Sequence, residues 1–262
     1  MQTNSLDFSG KVIVITGGTK GIGLGIAKAF VEHGGQVAIL GRNAEVGHKV
    51  QDDFNRKRKT CQFYQCDVTN VAMVTQTSQA IIETFGRVDS LILNAATEVA
   101  SSAIVDTPVE DWRKLMATNV DGVFYVLKYI LPAMIKQKSG SVIFISSVAA
   151  NTGGGTAIPY PTSKAALHGM MARVNYDLLQ QGIRANMISP GLVDTPLLRR
   201  KYPDTLATNT SLEAQIPMGR IGTPSDIANI ALFLASELSA YVCGQDIIAD
   251  GGRFKYRRSV VK

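Results

Sequence analysis

The chain of 262 residues has the length of one α/β domain, and its composition is that of a globular protein. Apolar residues make up 45% of the chain and 24 residues are glycine, which favours a large core with many tight turns. No apolar run is long enough to span a bilayer, and the polar start lacks the features of a secretory or transit peptide. We therefore expect a cytoplasmic protein with no membrane partner.

The formal net charge is +6, and cations cluster in two segments, residues 56–59 and 253–262. Such clusters can contact nucleic acid or an acidic partner. Binding of a single strand also requires aromatic residues among the cations, and these clusters contain few. The favoured interpretation is a solvated helix end and a basic C-terminal tail, so no nucleic-acid partner is predicted. The three cysteines lack the spacing of a disulfide framework or a metal site, and we expect no bound metal.

Apolar runs of strand length recur along the whole chain. They are continuous rather than alternating, as expected when both faces of a parallel sheet are covered. Strands are predicted at residues 11–16, 36–40, 88–94, 141–146, 183–189 and 245–249, with a weaker candidate at 61–66.

Helical patterns fill the intervals between these strands, with no linker or repeat. They predict helices at residues 21–33, 44–57, 71–85, 109–137, 157–181 and 224–236. Alternating strands and helices joined by right-handed crossovers form a doubly wound sheet. The predicted fold class is therefore α/β, a Rossmann-type parallel sheet of about seven strands with helices on both faces, in a single domain over residues 1–262.

A glycine-rich turn follows the first predicted strand and opens the first helix. Residues 16–23 read Thr-Gly-Gly-Thr-Lys-Gly-Ile-Gly. Glycines allow a tight turn and let backbone N–H groups approach a pyrophosphate at the positive end of a helix. An ordinary βα turn is the alternative, but strand and helix stand on the required sides. Cofactor contacts are predicted at Gly17, Thr19, Lys20, Gly21, Ile22 and Gly23.

The end of the second predicted strand indicates which dinucleotide binds. An NAD site usually places an acid roughly 20 residues after the glycines, where it bonds the ribose 2′-hydroxyl. Here the strand ends in Leu-Gly-Arg-Asn at residues 40–43, and the first carboxylate is that of Glu45. Arg42 can pair with a 2′-phosphate, and Lys20 adds a second cation. Either cation alone is typical of a protein surface, but both together without the acid predict NADP(H).

Tyr160 and Lys164 lie four residues apart at the start of a predicted helix and therefore share one face. A phenol has an ordinary pKa of about 10, and a neighbouring ammonium lowers it, which suits a general acid. Ser147 follows a strand run, at the sheet edge where ligands bind in open α/β folds. A Tyr-x3-Lys pair alone is a common accident, but these surroundings favour a catalytic site, with Ser146 interpreted as a cap.

In combination the motifs resemble the short-chain dehydrogenase/reductase family, in particular its single-domain members. The match runs from about Phe8 to Gly252, and the ordered set is far more specific than any one motif. The set comprises Thr16-Gly-x3-Gly-Ile-Gly23, Asp67-Val68, Asn94-Ala95-Ala96, Asn119 in Thr-Asn-Val, Ser147, Tyr160-x3-Lys164 and Pro190-Gly191-x-Val-x-Thr195.

The resemblance implies a catalytic set of Asn119, Ser147, Tyr160 and Lys164. Tyr160 would be the general acid in reduction, Lys164 would lower its pKa and hold the nicotinamide ribose, and Ser147 would orient the substrate carbonyl. Asn119 would hold a water in the proton path, with bracing of a helix kink near Gly122 as the alternative. Further cofactor contacts are implied at Asp67 and Val68 beside the adenine, at Asn94 and Ala95, and at Pro190, Gly191, Val193 and Thr195 beside the nicotinamide.

Departures from the family pattern concern the shape of the pocket. Ala96 replaces a glycine where the chain passes close to the cofactor, so a changed backbone angle is expected there. Thr97 and Glu98 follow at the expected pocket mouth. An exposed loop acid is the favoured interpretation of Glu98, and a contact with a polar or cationic substrate group is the alternative.

The predicted function is NADP(H)-dependent hydride transfer between the cofactor and a carbonyl or secondary alcohol, as in a ketone or 3-oxoacyl reductase. The main alternative is a catalytically silent dinucleotide-binding sensor or scaffold; the glycine spacing disfavours a sugar-nucleotide epimerase. Residues 192–222 are expected to form a substrate lid. An acyl carrier protein is a candidate partner that would dock on the basic tail or on residues 199–201, and the family resemblance implies a homo-oligomer, a tetramer or dimer.

Overall fold

The computed structural model describes residues 6–154 and 156–256, and its strands form one parallel sheet. The strands are β1 (Val12–Thr16), β2 (Gln36–Gly41), β3 (Cys61–Gln65), β4 (Ser90–Leu93), β5 (Gly140–Ile145), β6 (Ile183–Pro190) and β7 (Asp246–Ala249). Their order across the sheet is β3-β2-β1-β4-β5-β6-β7, so the winding direction reverses between β1 and β4. This order confirms the predicted doubly wound, Rossmann-type fold, including the weaker candidate β3.

Helices cover both faces of the sheet, as predicted. They are α1 (Gly21–Glu32), α2 (Ala44–Asn55), α3 (Val71–Phe85), α4 (Val109–Met116), α5 (Gly122–Gln137), α6 (Ala149–Thr152), α7 (Pro159–Leu178), α8 (Pro196–Lys201), α9 (Leu206–Glu213) and α10 (Pro224–Ala235). Core residues of α1, α2 and α10 pack on one face, and those of α3, α5 and α7 pack on the other.

The central strand β1 shows why the apolar runs are continuous. All of its residues are buried, but they divide between the two cores. Ile13 and Ile15 face α1 and α10, whereas Val14 faces the other helical layer. Burying each such side chain stabilises the fold by about 1.5–3 kcal/mol relative to exposure. A strand of this kind has no solvent face on which a polar residue would be placed.

The single helix predicted over residues 109–137 is wrong in its continuity. The helix is divided into α4 and α5 by a π-helical turn, Ala117–Asp121. Asn119 lies in this turn with a buried side chain, and Gly122 packs so closely on Val68 that a Cβ would lie 2.8 Å from its Cγ2 atom. Such turns often occur at functional sites. The apolar periodicity runs through the turn, so the sequence pattern does not indicate it.

The segment expected to form a lid is closed at its base. Val193 and Gly222 form a parallel bridge, and the Gly222 N–H donates to the Leu192 carbonyl at 2.9 Å. Between these ends the chain forms α8 and α9. The two ends of residues 192–222 are thus held together, with α8 and α9 between them.

Within residues 6–154 and 156–256, no helix combines the length and the hydropathy needed to cross a bilayer. Arg253 and Lys255 of the basic tail are exposed. Arg257, Arg258 and Lys262 lie outside the described residues.

Candidate active site

The glycine turn between β1 and α1 is shaped by positions where only glycine fits easily. Gly17 and Gly21 have φ angles of +65° and +52°. A Cβ on Gly23 would overlap the Gly17 carbonyl oxygen, so this glycine permits the close contact between helix and turn. Lys20 stands at the N-cap of α1 without a side-chain hydrogen bond to the helix. The first N–H groups of α1 are therefore left to bind an anion.

The ends of β1 and β4 are tied together beside this turn. The Asn94 Nδ2 atom donates to the carbonyl oxygens of Thr16 and Gly17 at 3.0 and 3.1 Å. In return, the Thr16 hydroxyl accepts from the N–H groups of Asn94 and Ala95 at 2.9 and 3.0 Å. Asn94 and Ala95 thus lie against the glycine turn at the point where the strand order reverses. Ala96 takes no positive φ, so it needs no glycine-like backbone there.

Two cations are predicted to bind the ribose 2′-phosphate: Arg42 follows β2, and Lys20 lies in the glycine turn at the N-cap of α1. Arg42 and Lys20 are both exposed, and Thr19 lies against Gly41, where a Cβ would meet its Cγ2 atom at 2.9 Å. The first residue after Arg42, Asn43, caps α2 by accepting from the Val46 N–H at 2.9 Å. The strand end therefore carries a cation where NAD-binding sites carry an acid.

Two further segments predicted to contact the cofactor reach the same sheet edge. Asp67, after β3, accepts from the Thr69 N–H and hydroxyl at 3.0 and 2.8 Å. After β6, Thr195 caps α8, and its methyl group lies 3.2 Å from where a Cβ of Gly21 would be. Residues from β3, β6 and the glycine turn are thus gathered at one edge, because all strands are parallel. The remaining predicted contacts there are Val68, Ile22, Pro190, Gly191 and Val193.

Ser147, Tyr160 and Lys164 are brought together by the end of β5 and the start of α7. The Ser147 hydroxyl lies close enough to the Tyr160 hydroxyl to lower the pKa of the phenol against the effect of burial. The buried Lys164 ammonium lies 5.9 Å from the Tyr160 ring centroid and donates to the Ile145 carbonyl at 2.8 Å. The Ser146 hydroxyl donates to the Lys164 carbonyl at 3.2 Å, which fastens the helix to the strand end.

The pKa of Tyr160 is raised in the structure, whereas the sequence predicts that Lys164 lowers it. Burial, with a smaller contribution from the Glu98 charge, raises the pKa of Tyr160 to about 12, and the Ser147 hydrogen bond only partly opposes this. Burial also lowers the pKa of Lys164 to about 8. The ammonium of Lys164 is directed at the Ile145 carbonyl rather than at the phenol oxygen. Desolvation therefore dominates, and the phenol is held in its protonated form.

Asn119 acts here as a brace. Its Nδ2 atom donates to the Thr97 carbonyl and to the Ser163 hydroxyl, each at 3.0 Å, and its Oδ1 atom accepts from the Thr97 N–H at 2.9 Å. The π-helical turn directs this side chain inward, between the loop after β4 and helix α7. Asn119 therefore positions the loop that carries Glu98, and its role in holding a water stays a prediction.

Glu98 is not the exposed loop acid that was favoured. It is half-buried, and burial raises the pKa of its carboxyl group, while the positive charges of Arg200 and Lys201 oppose that shift. The same carboxylate lies close enough to Tyr160 to raise the pKa of the phenol. The sequence signal was only its position after the Asn94 motif. Its inclusion in the site depends on how the loop after β4 folds back over α7.

Arg199 does not belong to a free basic patch. Its guanidinium pairs with Asp194 at 2.7 and 2.9 Å and donates to Asn209 at 2.7 Å; Asp204 lies 3.5 Å away. Arg199 therefore braces α8 against α9 instead of presenting its charge to an acidic carrier, as the sequence had suggested.

A cavity of about 550 Å³ lies between β7, α10 and the base of the 192–222 segment, and the predicted cofactor contact Val193 lines it. Its lining includes Leu192, Ile227 and Ile248, but none of the predicted catalytic residues. In the described part of the chain, no three His, Cys, Asp or Glu side chains are grouped closely enough to hold a metal ion.

Known proteins resemble this chain over nearly its whole length. The family model described as enoyl-(acyl carrier protein) reductase matches residues 17–253. A 3-oxoacyl-(acyl-carrier-protein) reductase of Chlamydia pneumoniae is 33% identical over 247 residues, covering 93% of this chain and 96% of that protein. An NADP-dependent (R)-specific alcohol dehydrogenase of Lentilactobacillus kefiri is 37% identical over 249 residues, covering 93% and 96%.

Among solved structures, one described as ElxO with NADP bound is 30% identical and has a TM-score of 0.87, covering 94% of this chain and 99% of that one. The likeness thus extends from sequence to fold. The chain belongs to the short-chain dehydrogenase/reductase family of oxidoreductases.

Proposed function

We propose that the protein is an NADP(H)-dependent reductase of a ketone or 3-oxoacyl substrate, with Tyr160 as the proton donor. The observation that carries the proposal is the grouping of Ser147, Tyr160 and Lys164 at the end of β5, on the edge that also holds the glycine turn. A silent sensor or scaffold is not favoured, because all three side chains are present and close together.

The residues at the sheet edge fit a dinucleotide. The uncapped N-terminus of α1 and the close-packed Gly23 suit a pyrophosphate, which would lie along residues 17–23. Arg42 and Lys20 would hold the 2′-phosphate of NADP(H). The adenine would lie by Asp67 and Val68, and the nicotinamide by residues 190–195. The names of the NADP-dependent Lentilactobacillus enzyme and of the NADP-bound structure support this choice.

A nicotinamide cofactor at this edge would supply or accept the hydride. Tyr160 donates its proton to the carbonyl oxygen in reduction and takes it back in oxidation. A pKa of about 12 keeps the phenol protonated at neutral pH, which suits the reductive direction. Ser147 donates a hydrogen bond to the same oxygen. Lys164, whose ammonium donates to the Ile145 carbonyl, would hold the nicotinamide ribose. Asn119 is a positioning residue in this scheme.

Residues 192–222 are proposed to close over the substrate, hinged at the bridge between Val193 and Gly222. An acyl carrier protein is a candidate partner because the Chlamydia relative is named as a reductase of such a substrate. With Arg199 engaged inside the segment, docking of that acidic partner would depend on Arg200 and the basic tail.

A homo-oligomer is also proposed, built through the helices that follow Asn119 and Tyr160. Large side chains on these helices face outward: Phe124 is 50% exposed and Tyr176 83%. Leu179, directly after α7, is 43% exposed. Exposed apolar groups of this size favour a covered surface. Light scattering of the purified protein would give the mass; a monomer at micromolar concentration would contradict the proposal.

The test is NADPH oxidation against a panel of ketones, diketones and 3-oxoacyl thioesters, with NADH alongside. Tyr160→Phe should retain NADPH binding but lose turnover by roughly 10²–10⁴-fold, because it removes the proton donor. Tyr241→Phe is the matched control, since the Tyr241 side chain is fully exposed and lies outside both the predicted site and the proposed oligomer surface. Equal turnover by Tyr160→Phe and wild type would refute the assignment of the proton donor.

A further inference from the structure

The loop that carries Glu98 is fixed on both sides of that residue. On one side, Asn119 holds the Thr97 N–H and carbonyl at 2.9 and 3.0 Å. On the other, the Thr156 hydroxyl donates to the Val99 carbonyl at 3.4 Å. Two anchors from different elements therefore place Glu98 between the π-helical turn and the start of α7, where Tyr160 lies. Its position is a property of the fold rather than of a free loop.

Glu98 has few partners for a half-buried carboxylate. Among the described residues it accepts no hydrogen bond and has no cation within 4.0 Å. Burial raises the pKa of the Glu98 carboxyl group, and the positive charges of Arg200 and Lys201 act in the opposite direction. A carboxylate that has lost part of its water without gaining a donor is costly. A substrate group that donates a hydrogen bond would remove this cost.

The charges around Glu98 decide which donor fits best. An anionic substrate group would be repelled by Glu98 at the reacting end. An ammonium group would be attracted, but Arg200 and Lys201 lie on the same side and oppose a third cation. A neutral hydroxyl meets neither repulsion. Because the anchors at Thr97 and Val99 hold Glu98 beside the start of α7, where Tyr160 lies, this hydroxyl would be close to the reacting carbonyl.

We propose that Glu98 determines substrate specificity by accepting a hydrogen bond from a hydroxyl group next to the reacting carbonyl, so that the enzyme prefers hydroxyketones and the corresponding vicinal diols. This inference rests on the proposed reductase function and narrows its substrate class. A site built to bond a hydroxyl discriminates strongly against the analogue that lacks it.

The test compares acetoin with butanone, which differ by one hydroxyl group, under NADPH. Wild-type protein should have the higher kcat/KM for acetoin. Glu98→Ala should lower the ratio of the two values by on the order of 10- to 100-fold, the effect of losing a hydrogen bond to a charged group. Glu98→Gln should fall between, because its amide oxygen still accepts a bond but carries no charge. Glu110→Gln, an exposed acid in the first turn of α4, is the control and should leave the ratio unchanged.

The ratio separates specificity from folding, because general damage to the loop would lower both values together. Normal turnover of both ketones with an unchanged ratio in Glu98→Ala would overturn this inference and leave the reductase function standing. A Glu98-dependent preference for aminoacetone over acetoin would overturn it in favour of a cationic substrate. Absence of turnover with every ketone would overturn the reductase function, and this inference with it.

Discussion

Replacing Asp89 by Asn should destabilise the protein through a site far from the chemistry. Asp89 is 8% exposed and precedes β4. Its Oδ1 atom accepts from Arg87 at 2.7 Å and Lys11 at 3.2 Å, and its Oδ2 atom accepts from Arg87 at 2.8 Å and from the Val12 N–H at 3.0 Å. This carboxylate therefore joins the starts of β1 and β4, the two strands between which the sheet reverses its order.

The expected loss in the free energy of unfolding follows from the hydrogen bonds that an amide cannot accept. An Asn side chain presents one acceptor and one donor group, so at least one of the facing N–H groups meets a donor. Each unsatisfied buried group costs about 1–3 kcal/mol, and breaking a whole buried ion pair costs about 3–5 kcal/mol. Arg87 and Lys11 are each 44% exposed and can regain water, which reduces the cost. We expect a loss of about 2–4 kcal/mol in the free energy of unfolding, or roughly 5–15 °C in Tm.

The pH dependence gives a second readout. Burial alone would raise the pKa of Asp89, but the hydrogen bonds from Arg87 and Val12 and the charge of Lys11 outweigh it, so the pKa is lowered. A lowered folded-state pKa contributes stability above the ordinary value of the group, and this is lost as pH falls through the folded-state pKa. The free energy of unfolding of wild type should therefore exceed that of Asp89→Asn by the full amount at neutral pH. This difference should shrink below about pH 4.

Thermal unfolding followed by circular dichroism from acid to neutral pH would measure both effects. The matched control is Asp177→Asn, which breaks the Arg173–Asp177 pair at 2.8 Å, with side chains 71% and 40% exposed. An exposed pair contributes at most about 1 kcal/mol. If Asp89→Asn and Asp177→Asn lowered Tm equally, the reasoning from burial would be refuted.

Three further predictions concern the active site. Gly23→Ala should abolish NADPH binding measured by cofactor fluorescence, because its methyl group overlaps the turn, whereas Gly169→Ala, with open space around the new methyl, should not; equal binding by both variants would contradict this. Arg42→Ala should weaken NADPH binding by about 10- to 100-fold and NADH binding far less, and an equal loss for both cofactors would remove Arg42 from 2′-phosphate recognition. Because the Glu98 charge raises the pKa of Tyr160, Glu98→Gln should move the alkaline limb of ketone reduction to lower pH, and a shift to higher pH would refute that coupling.

Much of the site could be predicted because its parts are local in sequence or lie at strand ends. Parallel strands bring their carboxyl ends to one edge, so the glycine turn, Ser147 and the segment after Pro190 had to meet once the strands were recognised. Tyr160 and Lys164 lie on one helical face by spacing alone. Their proximity to Ser147 in the structure agrees with that expectation.

The sequence by itself determined the sheet, the positions of the strands and the glycine turn, because continuous apolar runs and glycines report local backbone and burial needs. Only the tertiary structure decided that the pKa of Tyr160 is raised and that Glu98 is half-buried. The same holds for the hydrogen bonds of Asn119 to the loop after β4 and for the pairing of Arg199 with Asp194. Each of these depends on groups distant in the chain and on how much water remains around a charge. Desolvation and long-range contacts leave no periodic trace in the sequence, so they follow only from the packed fold.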